Sequence, residues 1–345
     1  MISRFFHQWE HRLANLNGTA RVVRPFEWGI DWIPINGHRR DGAPEQIVRT
    51  WVDEVMTDTD AFFTPSPTTR YTFTPADPSI TPGEAGRLTF PSALTTPHAS
   101  NNTVHARLFP ARDKRRAVVV LPQWNSDANS HIGLSQVLAR LGITALRISL
   151  PYHDRRMPQE LTRADFIVSS NIVRTVQVCR QAVMDVRRAL WWLRDEGYES
   201  LGLLGTSLGS CLAMLTASHE PLVRAQALNH VSPFFADVVW HGLSTAHVRA
   251  GLDGHVNLDV LRDLWRPISP WTYLERARNR KTLLVYAKYD LTFPVDLSRR
   301  LVHEFRRLEI PTEVAVLPCG HYSTGRAPFK FLDGYYLARF LKRNL

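Results

Sequence analysis

The chain has 345 residues, 44% hydrophobic and 21% charged, which is long enough to bury a sizeable core without staples and too apolar for a disordered chain. Its 42 Lys and Arg against 32 Asp and Glu leave a net charge of +10. The basic residues fall in small scattered clusters such as Lys114-Arg115-Arg116 and Arg155-Arg156, with no zinc finger, RNP-type strand or long basic tail, so a solvated basic surface is expected and no nucleic-acid partner. Three widely spaced cysteines, Cys179, Cys211 and Cys319, build neither a zinc site nor a disulfide framework and suit a reducing, cytoplasmic setting.

In chain order, Met1 to Asn17 is expected not to be a signal peptide, because Arg4, His7, Glu10 and Arg12 interrupt any apolar segment. Phe5, Phe6, Trp9 and Leu13 make one face of a short helix, expected to pack on the protein's own body, with weak contact to a membrane surface as its second use. Residues 1–85 otherwise read as an irregular extension, Pro- and Thr-rich between Thr64 and Pro82, laid on the main domain through Trp28, Trp32 and Trp51. The main domain, residues 86–345, opens with alternating strands at Arg87–Leu94 and Thr103–Phe109, joined by the turn-like Ser100-Asn101-Asn102. Ala117–Leu121 is a continuous apolar strand, Ile132–Leu141 a helix stopped by Gly142, and Ile143–Leu150 the next strand.

Thr175–Arg194 is a helix whose apolar face carries Val176, Val183, Val186, Leu190 and Leu193, with Arg187, Arg188 and Arg194 at the remaining positions. Leu201–Leu204 reads as a buried strand and Leu208–Ala217 as a helix, which explains the uncharged run Ser200–His219 better than a membrane span does. Ala225–Asn229 begins a strand, and Lys281–Ala287 is another. Leu297, Leu301, Phe305 and Leu308 mark a helix, Glu313–Leu317 a strand and Phe329–Leu341 a closing helix. Alternating strands and helices imply a mainly parallel sheet covered on both faces, with the leading strand pair at its antiparallel edge. Residues 233–275 break the alternation and read as an inserted cap.

Gly205-Thr206-Ser207-Leu208-Gly209 fits Gly-x-Ser-x-Gly with an apolar strand before it and an apolar helix after it, the context that lifts a serine oxygen above a sheet. The bland alternative is an ordinary serine on a glycine-rich turn. Such a hydroxyl needs a base, and His321, the last of 14 histidines, lies on the exit loop of the last strand. Asp290, after Lys281–Ala287, is the expected acid that would orient that imidazole. Its rivals are Asp237, after the preceding strand, and Asp296, expected rather to cap the next helix.

From about residue 100 onward the chain resembles the α/β-hydrolase superfamily, with Ser207, Asp290 and His321 matching its motifs in order. Pro151-Tyr152, the elbow, Ser232-Pro233-Phe234-Phe235-Ala236-Asp237-Val238-Val239-Trp240 and His241-Gly242 look like the alpha/beta-hydrolase-domain-containing protein 18 group. The resemblance implies the α/β-hydrolase fold, a Ser-His-Asp triad and an acyl-enzyme pathway without cofactor or metal. It also implies an oxyanion hole made by the N–H of Leu208 and one from Pro122-Gln123-Trp124-Asn125. Many relatives carry His-Gly in that loop. Here Pro122 has no N–H, so Gln123 or Trp124 is the expected donor. A second departure is Ala287, where relatives often carry glycine. Phe234, Phe235, Trp240 and Trp265 are candidates for an acyl pocket or for the core of the cap. His131, His153 and Asp154, on loops expected near the same sheet edge, are candidates for substrate contact, with no convincing metal-ligand spacing.

The function expected is cleavage of a carboxylic ester or thioester, in the manner of a carboxylesterase or a lipid acyl hydrolase, with a small-molecule ester or lipid as partner. A peptidase or acyltransferase would use the same residues. A non-catalytic binding or scaffold protein on the same fold is the alternative from another class, left open by the altered loop at Pro122-Gln123.

Overall fold

A computed structural model describes residues 2–16, 21–34, 41–77 and 79–345. The extension is more ordered than its composition suggests. It contains α1 (Ile2–Leu16), α2 (Pro44–Thr57), α3 (Thr59–Phe63) and β1 (Thr72–Pro75). α2 starts with proline at its first turn and buries Ile47, Val48, Trp51, Val52 and Val55 along one stripe. Asp58 caps α3 by accepting the N–H of Ala61 at 2.9 Å. β1 is exposed at every residue, so it has no apolar alternation to read, and its ladder to the next strand holds it in place.

The main domain follows as β2 (Gly86–Pro91), β3 (Thr103–Phe109), β4 (Arg116–Leu121), α4 (Ile132–Arg140), β5 (Thr144–Ile148), α5 (Ile172–Asp195), β6 (Ser200–Thr206), α6 (Leu208–His219) and β7 (Val223–Asn229). Between β7 and the next strand lie α7 (Phe235–His241), α8 (Ala246–Leu252) and α9 (Leu258–Leu264), and the chain closes with β8 (Lys281–Ala287), α10 (Val295–Arg307), β9 (Thr312–Leu317) and α11 (Phe329–Asn344). Among the described residues nine strands form one sheet in the order β1-β2-β3-β5-β4-β6-β7-β8-β9. The pairs up to β3–β5 are antiparallel and the rest parallel. The turn expected at Ser100–Asn102 is the end of a longer connection that closes with the 3-10 segment Ala99–Asn102.

Strand side chains alternate between two apolar layers, as a period of two requires of a sheet buried on both sides. Ala117, Val119 and Leu121 of β4 join the layer with α5, α6 and α10, whereas Val118 and Val120 join the layer with α4 and α11. Parallel strands end at one edge, so the loops after β4, β6, β7, β8 and β9 all emerge there. The cap rises from this edge and is tied to the extension by Arg49–Asp263 at 3.1 Å and Arg266–Asp53 at 2.6 Å.

Most described Lys and Arg side chains are exposed or half-buried, as a solvated basic surface requires, but Arg147, Arg156, Arg187 and Arg188 are buried. Arg180, Arg187 and Arg188 of α5 donate to the carbonyls of Phe62, Phe63 and Ser66, so the helix grips the extension by its backbone. Arg156 is fully buried and donates to Asp185 at 2.9 Å and to the carbonyls of Asn101 and Ser149. Packing of the N-terminal helix on the body is also seen: Phe6 stacks on Tyr289 with centroids 4.6 Å apart, while Phe5 stays 60% exposed. All three cysteines are free and buried. No helix among the described residues is long and apolar enough to cross a membrane.

Removing one partner of a buried ion pair strands the other charge away from water. Asp185→Ala is therefore expected to destabilise the protein by about 3–5 kcal/mol, measured as the shift of a urea unfolding curve at constant m.

Candidate active site

β6 ends at Thr206 and α6 begins at Leu208, so Ser207 alone makes the corner. It does so with φ 56 and ψ −119, a backbone conformation that a non-glycine residue holds only when its surroundings enforce it. The N–H of Ser207 donates to the Asn229 carbonyl at 2.8 Å, and the Ser210 hydroxyl donates to the carbonyls of Ser207 and His230. The flanking glycines are required by space. A Cβ on Gly205 would lie 2.2 Å from the Gly209 oxygen, and one on Gly209 would lie 2.2 Å from the Leu121 oxygen.

The three residues singled out from the sequence meet in one hydrogen-bonded line. His321 Nε2 lies 3.0 Å from Ser207 Oγ, and His321 Nδ1 lies 2.9 Å from Asp290 Oδ2. The other carboxylate oxygen of Asp290 accepts the N–H groups of Thr292 and Phe293 at 2.8 and 2.7 Å. Phe293 also stacks on the His321 ring at 5.3 Å, limiting its rotation. Burial works to raise the pKa of Asp290, but the charge of His321 and the hydrogen bonds from His230 and His321 outweigh it and hold the carboxyl well below its usual range. For His321 burial works downward, and the charge and hydrogen bond of Asp290, together with the charge of Glu10, carry it above the ordinary histidine value.

Both rivals for the acid lie elsewhere. Asp237 is bound by Arg262 at 2.6 and 3.0 Å inside the cap. Asp296 is exposed beside Arg299 in the first turn of α10, where Pro294 rather than Asp296 holds the cap position.

A second histidine, unread in the sequence, completes the site. His230 follows β7 with φ 53 and brings its Nδ1 to 3.0 Å from Asp290 Oδ2, its ring centroid 4.4 Å from that of His321. The only hint in the sequence is a histidine at the end of a strand on the reactive edge. His230, Asp290 and His321 are also the one group of three potential metal ligands close enough to share an ion among the described residues. Both Nδ1 atoms face the same carboxylate oxygen at hydrogen-bond distance, and N–H donation to that oxygen accounts for the cluster.

The loop after β4 passes over the N-terminus of α6. The Asn125 N–H donates to His153 Nε2 at 3.0 Å, leaving the N–H groups of Gln123 and Trp124 as the choice for partnering that of Leu208. Gln123, Trp124 and Leu208 all line the cavity above Ser207. His153 is pushed down to about 4 by burial and Asp154 is paired with Arg147 at 2.6 Å, so these two brace loops and do not face the cavity. His131, also near 4 through burial, does line it, with Nε2 2.9 Å from Thr206 Oγ1.

The cavity holds about 1550 Å³ and runs from Ser207 beneath the cap along Phe234, Phe235, Val238 and Val239. Trp240 and Trp265, expected as alternative pocket walls, do not line it. Trp265 is fully buried, edge-on to Phe235, with its indole N–H on the Ile172 carbonyl. Trp240 packs against the core and carries Arg249 over its ring. Both belong to the core of the cap.

Known proteins resemble this chain in part of its sequence and in its fold. Two uncharacterized proteins of Mycobacterium tuberculosis, from strains CDC 1551 and H37Rv, are 40% identical to the chain over 81 residues, a stretch covering 23% of this chain and 19% of each relative. The acetyl xylan esterase of Paenibacillus sp. R4 superposes with a TM-score of 0.61 at 15% identity, over 92% of this chain and 98% of that one. The acylaminoacyl peptidase of Pyrococcus horikoshii gives 0.60 at 14% identity, over 79% of this chain and 42% of that one. These two share the fold, an α/β-hydrolase sheet with helices on both faces. The family described as alpha/beta hydrolase domain containing 18 matches residues 86–282, more than half of the chain. The chain therefore belongs to the alpha/beta hydrolase domain containing 18 family.

Proposed function

We propose that the chain is a serine hydrolase that cleaves a carboxylic ester or thioester through an acyl-enzyme on Ser207. One observation carries this reading: a serine oxygen on a strained elbow, 3.0 Å from an imidazole that is backed by a buried carboxylate, faces a large, mostly apolar cavity. His321 Nε2 takes the proton of Ser207 as Oγ attacks the carbonyl carbon. The oxyanion that forms is held by the N–H of Leu208, at the positive end of α6, and by that of Gln123 or Trp124. The imidazolium is stabilised by Asp290 and returns its proton to the departing alkoxide or thiolate. Water then attacks the acyl-enzyme with His321 again as base, freeing the acid and restoring the hydroxyl. No cofactor enters these steps.

Phe234, Phe235, Val238 and Val239 favour an apolar acyl group beneath the cap, in keeping with a carboxylesterase or lipid acyl hydrolase. Pro122-Gln123, in place of His-Gly, leaves open the competing reading of a non-catalytic scaffold, and covalent labelling separates the two. A fluorophosphonate probe is expected to label the native chain and to leave Ser207→Ala unlabelled. Hydrolysis of p-nitrophenyl esters of graded chain length is expected to fall roughly 10⁴-fold or more in the variant. A native chain that stays unlabelled and inert towards the whole ester series would sink the hydrolase reading.

The pH profile follows from the sign of the shift at His321. Only the neutral imidazole accepts the serine proton, and the folded protein raises this histidine above its ordinary value. Activity is thus lost as pH falls through that raised value. The acid limb of kcat/KM is expected above about pH 6.5, the unperturbed histidine value, and in Asp290→Asn it moves to lower pH as the rate drops.

A further inference from the structure

The loop that carries His321 is bonded to a distant segment as well as to itself. From the N-terminal helix, far away in the chain, Glu10 reaches into it with a fully buried carboxylate. Its Oε2 accepts the N–H of Tyr322 at 2.8 Å and its Oε1 accepts the N–H of Ser323 at 2.9 Å. These are the two residues that follow His321. The turn is shaped around the carboxylate: a Cβ on Gly320 would sit 2.3 Å from Glu10 Cδ. Within the loop, the Gly320 N–H donates to Ser323 Oγ and the Thr324 hydroxyl donates to the Gly320 carbonyl, both at 2.8 Å.

The same helix also touches the loop of the acid. Phe6 stacks on Tyr289, next to Asp290, and the Tyr289 N–H donates to the Cys319 carbonyl at 2.9 Å. A neutral amide of the same length could not replace this carboxylate. Glutamine presents one accepting oxygen and one NH₂ group, which would meet a backbone N–H donor to donor.

We propose that Glu10 is a positioning residue for the base, its two carboxylate oxygens fixing the turn that aims His321 at Ser207 and setting a negative charge beside the imidazole. That charge adds to Asp290 in raising His321. The other polar groups facing this ring are Ser207 and His230, with Asp333 beyond His230. On its far side, Tyr322 accepts a hydrogen bond from Arg21 and shares another with Ser244.

The kinetic part of the test rests on the hydrolase reading, and the titration part does not. The imidazole of His321 is titrated by NMR in the native chain, in Glu10→Gln and in Glu10→Asp, and kcat and KM for a p-nitrophenyl ester are measured alongside. Glu10→Gln is expected to melt cooperatively, with the His321 midpoint moved to lower pH. Its kcat is expected to fall about tenfold or more at a KM within about twofold, since misplacing a reacting group by an ångström costs up to about 10²-fold. Glu10→Asp keeps the charge at a shorter reach, so its midpoint stays near the native one while kcat falls. A folded Glu10→Gln with the native midpoint and kcat overturns the proposal. Should Glu10→Gln not fold, native kcat in Glu10→Asp overturns it. A native chain without hydrolytic activity removes the hydrolase reading only, and the titration still decides the role of Glu10.

Discussion

A carboxylate buried away from water is costly unless donors replace the solvent, and the reactive edge of this protein is arranged around such a group. Asp290 Oδ1 is held by two backbone N–H groups of its own loop, and Oδ2 receives Nδ1 of both His321 and His230. Three loops, those after β7, β8 and β9, are thereby tied to one side chain. The elbow joins them indirectly: Ser207 donates to Asn229, and Ser210 to the carbonyl of His230. If Asp290 were removed, His321 would lose its partner at Nδ1 and the β7 loop would lose its hydrogen bond to the β8 loop.

The arginines follow the same physical logic on the other side of the sheet. A guanidinium has donors in a fixed fork and no acceptor, so a buried one must meet carbonyls or carboxylates. α5 uses this three times against the backbone of the extension, and Arg156 uses it to join β5's exit to Asp185. The extension is thus held through its carbonyls, which any sequence supplies, as well as through apolar side chains such as Ile47, Trp51 and Phe63 that join the main core.

That difference explains what could be read in advance. β6, the elbow and α6 are legible because their signals are local: an apolar run, two glycines and a helix-forming stretch fix Ser207 without reference to distant residues. Asp290 and His321 are legible from chain order, as is the parallel sheet from its alternation. α2 carries a readable helical stripe, Ile47, Val48, Trp51, Val52 and Val55 behind Pro44, that the Pro- and Thr-rich composition around it obscures, whereas β1 exposes both faces and offers no pattern. Trp240 and Trp265 mislead because an aromatic ring offers the same apolar area to a core as to a pocket. His230 and Glu10 are polar residues of unremarkable local setting. Only the assembled fold brings one to Asp290 and the other beneath the His321 turn.

The bond between Glu10 and Ser323 spans 313 residues of sequence. Contacts so far apart pay their loop-closure entropy late, after nearer ones have formed. Part of the surface that receives this helix, Tyr289, precedes β9, but the turn that Glu10 holds is complete only after β9. On the proposed reading, the aim of His321 at Ser207 would be set late, after the sheet whose loops carry both residues.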